Sequence, residues 1–200
     1  MERETRFIPA ADAEVRAGDG GARGISGMAA VYDRSTIISG MWEERIAPGA
    51  FDDVLGDDVR ALFNHDPNYP LGRTKSGTLV LRAEKSGLRY EVPELPQARA
   101  DVLEAIQRGD VTGSSFSFRV EPDGETWENR SKDGLLPLRT ITRIAKLPDL
   151  GPVTWPAYQE AKVSARCEER AREMAAKDVP APQPIDTTEH HRLLAAAEQT

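Results

Sequence analysis

The chain has 200 residues, 39% of them hydrophobic and 30% charged, with 33 acidic against 26 basic side chains for a formal net charge of −7. This length supports one domain with extensions; the acid excess argues against broad binding to phosphate backbones, and no apolar run approaches the ~18 residues of a membrane span, so neither nucleic acid nor membrane is an expected partner. The single cysteine, Cys167, excludes internal disulfides and cysteine-rich zinc sites.

Residues 1–23 mix charges with Gly18-Asp19-Gly20-Gly21 and read as a mobile arm with a first strand near Arg6-Phe7-Ile8. Met1 to Arg6 carries acids among its bases with no apolar stretch behind them, so no secretory signal is expected and residence in the cytoplasm follows. The fold proper is expected to begin near Gly24. Ile25 to Tyr32 and Ile37-Ile38 suit strands on either side of an Asp33-Arg34-Ser35 turn. Pro48, followed by Ala50, Phe51, Val54 and Leu55 at spacing four, predicts a short amphipathic helix that stops at Gly56.

Val59 to Asn64 reads as a buried strand ending at His65, with Asp66 to Arg73 as the turn that exposes it. Thr78 to Ala83 and Leu88 to Val92 alternate around Lys85-Ser86-Gly87, a hairpin pattern. Arg99 to Arg108 carries Val102, Leu103 and Ile106 at helical spacing and stops at Gly109. Val111 to Val120 is a strand in which Phe116 and Phe118 alternate with Ser115 and Ser117, so burial of the aromatics would display the serines on the opposite side. Glu121 to Lys132 reads as a polar loop. Leu136 to Leu147 and Leu150 to Trp155 return to strand character, and 161–165 adds a short last one. Residues 166–178 form a charged helical extension that leaves Cys167 as a surface thiol. Beyond it, 179–200 is a Pro-rich linker and a C-terminal tail that would order only on a partner.

His65 is the only histidine before the tail. An imidazole at a strand end before a Pro-containing turn can take and return a proton near neutral pH. Downstream, Gly113-Ser114-Ser115-Phe116-Ser117-Phe118 and the segment from Leu147 to Ala157 supply a hydroxyl and a carboxylate, the remaining ingredients of nucleophilic acyl transfer. Glu189-His190-His191 also gathers metal-ligating side chains, but no second cluster completes a site, so neither metal nor cofactor is implied.

Five blocks, in order and at compatible spacing, carry a resemblance: Gly27 to Tyr32, Glu44 to Asp52, Ala61 to Arg73, Gly109 to Phe118 and Leu147 to Tyr158. In them the chain resembles the prohead serine proteases of tailed bacteriophages, which trim capsid and scaffold proteins during head maturation and are distantly similar to herpesvirus assemblins. The resemblance implies His65 as general base and Ser115 as nucleophile, with Ser114 as the alternative because it stands where the family has an apolar residue. Asp149 takes the place of the family's usual glutamate, a shorter acid, and Gly151 stands where a serine is usual. Acyl transfer also needs oxyanion donors, for which backbone amides near Gly113 to Ser115 are candidates; by analogy with assemblin, Arg139 or Arg143 would contribute, although a surface salt bridge is the ordinary fate of either arginine.

The implied fold is mainly β with flanking helices (α+β), an assemblin-like closed or nearly closed antiparallel β-barrel over residues 24–165. The implied partners are major capsid and scaffold proteins as substrates and a second copy of the chain in a homo-oligomer, most simply a dimer. The implied place is the assembling prohead in the host cytoplasm, with an integrated prophage as a compatible source. The alternative is a catalytically inactive head-assembly scaffold or targeting protein that keeps the fold.

Overall fold

The computed structural model describes residues 2–8, 16–17, 23–154 and 165–176. Three sheets organise these residues. The first has five strands in the order β1 (Glu4–Ile8), β10 (Gly113–Val120), β13 (Ile144–Val153), β6 (Arg60–Leu62) and β7 (Pro70–Arg73). The second runs β11 (Glu125–Glu128), β12 (Leu138–Ile141), β5 (Trp42–Ile46) and β4 (Thr36–Ile38). The third runs β2 (Arg16–Ala17), β3 (Ile25–Val31), β9 (Gly87–Val92) and β8 (Val80–Glu84). With helices α1 (Ala100–Gln107) and α2 (Ala165–Ala176), the architecture is mainly β, of the α+β class.

Among the described residues no sheet closes on itself through hydrogen bonds, so the expected closed barrel is absent from the strand pairing. The sheets instead meet around one apolar core. Ala29 and Leu88 come from the third sheet, Ile46 and Ile141 from the second, and Phe116, Phe118 and Leu150 from the first. Edge-to-face packing of Phe51 on Phe116, with centroids 5.7 Å apart, and stacking of Phe116 on Phe118 at 5.1 Å fill its centre.

Four expectations need correction. The predicted helix at 48–56 is a chain of turns with one short 3-10 turn, Asp52–Val54. Its apolar spacing is real, because Ala50, Phe51 and Val54 are buried, but Gly49 has φ +84° and the Ala50 carbonyl accepts a hydrogen bond from Ile144 in β13. A backbone committed to a neighbouring strand cannot close helical bonds. The polar loop at 121–132 contains β11, held because Trp127 packs on Trp42 at 5.7 Å. The run from Leu136 to Leu147 is split between two sheets by a turn at which the Thr142 and Arg143 amides both donate to the Gly124 carbonyl. Cys167 is buried, since α2 lays Cys167 and Ala171 against Trp42 and Ile38. The predicted strand at 161–165 and the tail at 179–200 lie outside the described residues, except that Ala165 begins α2.

Charge as well as apolar surface ties the sheets together. Arg6 on β1 donates to both oxygens of Glu44 on β5 and, at 2.6 Å, to Glu4. Arg139 on β12 donates to Glu4 at 2.6 and 2.8 Å, to Glu44 at 2.8 Å and to Glu125 on β11 at 2.5 and 2.8 Å. Arg166 from α2 adds a third guanidinium at 3.3 Å from Glu125, so three cations face three carboxylates. Arg139 is 1% exposed, so the anticipated surface salt bridge is a buried one. Burial by itself would raise the Glu44 carboxyl, but the Arg6 and Arg139 guanidiniums outweigh it and hold the group below its ordinary range.

A carboxylate whose folded-state pKa is depressed stabilises the fold fully above its unfolded value, near 4.5 for Glu44, and loses that contribution as pH falls through the lower folded value. Glu44→Gln is therefore expected to destabilise the protein by about 3–5 kcal/mol at pH 7, the usual cost of breaking a buried ion pair. Its stability should also fall less steeply than that of the wild type as the pH drops below 4.5. Urea unfolding followed between pH 7 and pH 3 measures both effects, and parallel pH profiles for the two proteins would contradict the assignment.

Candidate active site

The site grows from strand pairing. β10 is antiparallel to β13, with Ser115 opposite Gly151 and Ser117 opposite Asp149, so two serines and one carboxylate share one face. The other face of β10 sends Phe116 and Phe118 into the core. The chain irregularity between Ser117 and Arg119 falls opposite Pro148, which has no amide to give to the ladder. On its far side β13 runs parallel to β6, with Asp149 opposite Arg60 and Leu150 opposite Ala61. β6 ends two residues before Asn64-His65.

Both of those residues adopt left-handed backbone conformations, Asn64 with φ +53° and His65 with φ +57°. Two successive turns of this hand swing the chain off the strand and over β13. The geometry is held by the Asn64 side chain, which accepts from the Thr154 amide at 2.8 Å and donates to the Thr154 hydroxyl at 3.0 Å. Asparagine tolerates this conformation better than other non-glycine residues, and its two bonds offset the strain at His65. Gly151 makes the approach possible. A Cβ there would lie 2.2 Å from the Leu62 carbonyl oxygen, and its φ of +153° suits only glycine.

Within this frame the His65 ring bridges the two other groups. Its Nδ1 lies 2.5 Å from Asp149 Oδ1, and its Nε2 lies 2.6 Å from Ser115 Oγ. Asp149 is 3% exposed and Ser115 likewise 3%, whereas the His65 side chain is 23% exposed and is the part of the trio that meets solvent. Ser115 is therefore not displayed on an open face as the alternation suggested, because the His65 ring lies on its hydroxyl and β1, paired beside β10, brings the Arg6 carbonyl 2.8 Å from it. A single hydroxyl proton thus has two acceptors in reach, the Arg6 carbonyl and the imidazole, and rotation about Cβ–Oγ moves it from one to the other.

The remaining candidates fall elsewhere. Ser114 points into the core and hydrogen-bonds the Tyr90 hydroxyl at 3.0 Å, so its hydroxyl is spent away from His65. Asp66 caps its own turn by accepting from the Asn68 amide at 2.8 Å. Arg139 gives its donors to Glu4, Glu44 and Glu125 in the buried charge cluster rather than to the site. Arg143 is exposed on the turn between β12 and β13. Gly113 opens β10 opposite Val153, and residues 114–118 lie between β1 and β13, where the ladders on both sides use the backbone amides. The expected oxyanion donors at Gly113, Arg139 and Arg143 therefore find other partners or other positions. Among the described residues no group of histidine, cysteine and acidic side chains is arranged to hold a metal ion, and residues 189–191 lie outside them.

Two neighbours of the trio escaped the sequence reading. Ser117 Oγ lies 3.5 Å from His65 Nδ1 and 3.3 Å from the Thr5 hydroxyl; its place two residues after Ser115 on a strand was the available signal. Arg3 reaches the Asp149 carboxylate by its Nη2 and donates to Ser117 at 3.0 Å. Nothing in the local pattern Glu2-Arg3-Glu4 distinguishes that arginine.

The chain belongs to the caudovirus prohead serine proteases, whose family model matches residues 11–176. Membership makes it a member of a family of serine peptidases of phage capsid maturation, with capsid proteins as the family's substrates. Searches of curated proteins and of solved structures return no match.

Gly151→Ala tests the packing under His65. The added methyl must displace the Leu62 carbonyl or the strand itself, so a loss of at least about 1–3 kcal/mol is expected from backbone strain alone. Denaturant unfolding reads this directly, and wild-type stability in Gly151→Ala would mean that β6 and β13 are not so closely apposed.

Proposed function

We propose that this chain is an active serine endopeptidase that cleaves capsid and scaffold proteins, and itself, during prohead maturation, with Ser115 as nucleophile, His65 as base and then acid, and Asp149 as the orienting carboxylate. The observation that carries the reading is the single imidazole that bonds the Asp149 carboxylate through Nδ1 and the Ser115 hydroxyl through Nε2. Asp149 fixes the tautomer with the proton on Nδ1, which leaves Nε2 free to accept. The Ser115 proton passes to Nε2 as Oγ bonds to the scissile carbonyl carbon. The resulting imidazolium is stabilised by the nearly buried carboxylate. It returns the proton to the leaving amine as the C–N bond breaks, leaving an acyl-enzyme. Water, giving a proton to His65, then attacks the ester carbonyl; the acid departs and Ser115 regains its proton.

The departures from the family pattern at Ser114 and Gly151 do not count against activity. Ser114 faces the core and Tyr90, where a hydroxyl is satisfied, and Gly151 sits where a side chain would strike the Leu62 carbonyl. The kinship with assemblin belongs to the same reading, with three sheets around one core as an open relative of that barrel. So does a two-fold homo-oligomer as the competent state, formed while the prohead assembles in the host cytoplasm.

A fluorophosphonate probe tests the chemistry without a known substrate. The wild type should be labelled at Ser115, Ser115→Ala and His65→Ala should not be labelled, and Ser114→Ala should be labelled nearly as fast as the wild type. Asp149→Asn should fold and lose turnover on the order of 10³–10⁴-fold, as loss of the orienting acid does in serine hydrolases. A wild-type protein inert to the probe would refute the proposal and leave a head-assembly role. Specific activity should rise with protein concentration through the range in which subunits associate, and a constant value there would exclude the oligomer requirement.

A further inference from the structure

Strand β1 does more than extend a sheet. From Arg3, just before the strand, to Arg6, the side chains alternate between two environments. Glu4 and Arg6 enter the buried cluster with Glu44 and Arg139, while Arg3 and Thr5 lie on the face of β10 that carries Ser115 and Ser117. The register Thr5 opposite Ser117 and Phe7 opposite Ser115 fixes the strand along the site, and the buried charges fix it against sliding. The guanidinium of Arg3 is thereby held at the Asp149 oxygen, Oδ2, that His65 does not use. A second donation, to Ser117 at 3.0 Å, completes its positioning.

We propose that Arg3 is a positioning residue of the active site, which locks the Asp149 carboxylate by its second oxygen and so keeps Oδ1 aligned with His65. This inference rests on the catalytic reading above. The physical argument is one of rotation. A carboxylate bonded through one oxygen only can turn about its Cβ–Cγ bond and let the imidazole drift from Ser115. Bonded through both oxygens, it cannot turn without losing a charge-assisted hydrogen bond. Arg3 is half exposed, so as a mere surface ion pair it would contribute little. Its partner, however, is 4% exposed by side chain, and Arg3 is the cation that completes its coordination. Because β1 also brings the Arg6 carbonyl to the Ser115 hydroxyl, the N-terminal strand sets the orientation of both ends of the Ser115–His65–Asp149 chain.

The test uses the full-length protein and the rate of fluorophosphonate labelling at Ser115, with thermal unfolding as a fold check. For Arg3→Ala the labelling rate should fall by roughly 10- to 100-fold, the scale on which outer partners that orient a working group act. Millimolar guanidinium should restore several-fold of that loss in Arg3→Ala and leave the wild type unchanged, an effect that a purely structural arginine would not show. Arg3→Lys, which keeps the charge but loses the fork, should be intermediate, and it replaces Arg3→Ala as the test variant if the latter fails to fold. Unchanged labelling in a folded Arg3 variant, or a loss that guanidinium does not relieve, would overturn the positioning role while leaving the Ser115 chemistry intact. A wild-type protein that the probe does not label would sink the catalytic reading on which this role depends.

Discussion

The alternation of side chains along β10 is the constraint from which the site follows. Phe116 and Phe118 occupy the centre of the core, and strand geometry then leaves Ser115 and Ser117 no choice of side. A slip of one residue would turn Ser115 to the core face, away from His65, and bring Ser114 or Phe116 beneath the imidazole, at the expense of two aromatic side chains. The stacked phenylalanines therefore act as the register lock of Ser115. Antiparallel pairing with β13 carries the same register to the acid, placing Asp149 opposite Ser117 and glycine opposite Ser115.

A second constraint comes from charge. Burying three carboxylates and two guanidiniums between the first two sheets is favourable only when each keeps its partners, because unpaired ions in such a place are strongly destabilising. The network thus specifies geometry more than it adds stability. It ties β1 to β5, β11 and β12, and Arg166 extends it to α2. A strand pinned in this way can hold a half-exposed arginine and a backbone carbonyl against the site with little freedom, a service that an ordinary edge strand could not give.

Local backbone strain beside the site has a use. Asn64 and His65, with positive φ, lie between β6 and the turn that follows, and the bonds from Asn64 to Thr154 restrain them. The close approach of Leu62 to Gly151 brings the imidazole over β13 instead of beside it. Residues that look like departures from the family pattern are accounted for by this geometry. Gly151 clears the path of β6, and Ser114 is a core residue whose hydroxyl is answered by Tyr90.

Much of the framework was legible in the sequence, because periodicity and turn chemistry are local. The hairpin around Lys85-Ser86-Gly87, helix α1 with its stop before Gly109, and the alternating strand with Ser115 all follow from side-chain pattern. The same local reasoning failed where tertiary demands overrode it: at Ala50, whose carbonyl is claimed by β13; at Trp127, which draws a polar segment into a sheet; and at Cys167, which a charged helix turns inward. Sequence by itself determined which residue types could perform acyl transfer and which face of β10 carried them. Only the tertiary structure decided that Ser115 and not Ser114 meets His65, that Arg139 belongs to a buried charge network, and that Arg3 reaches Asp149. Those outcomes depend on strands distant in the chain becoming neighbours in the sheet, which no pattern confined to one segment encodes.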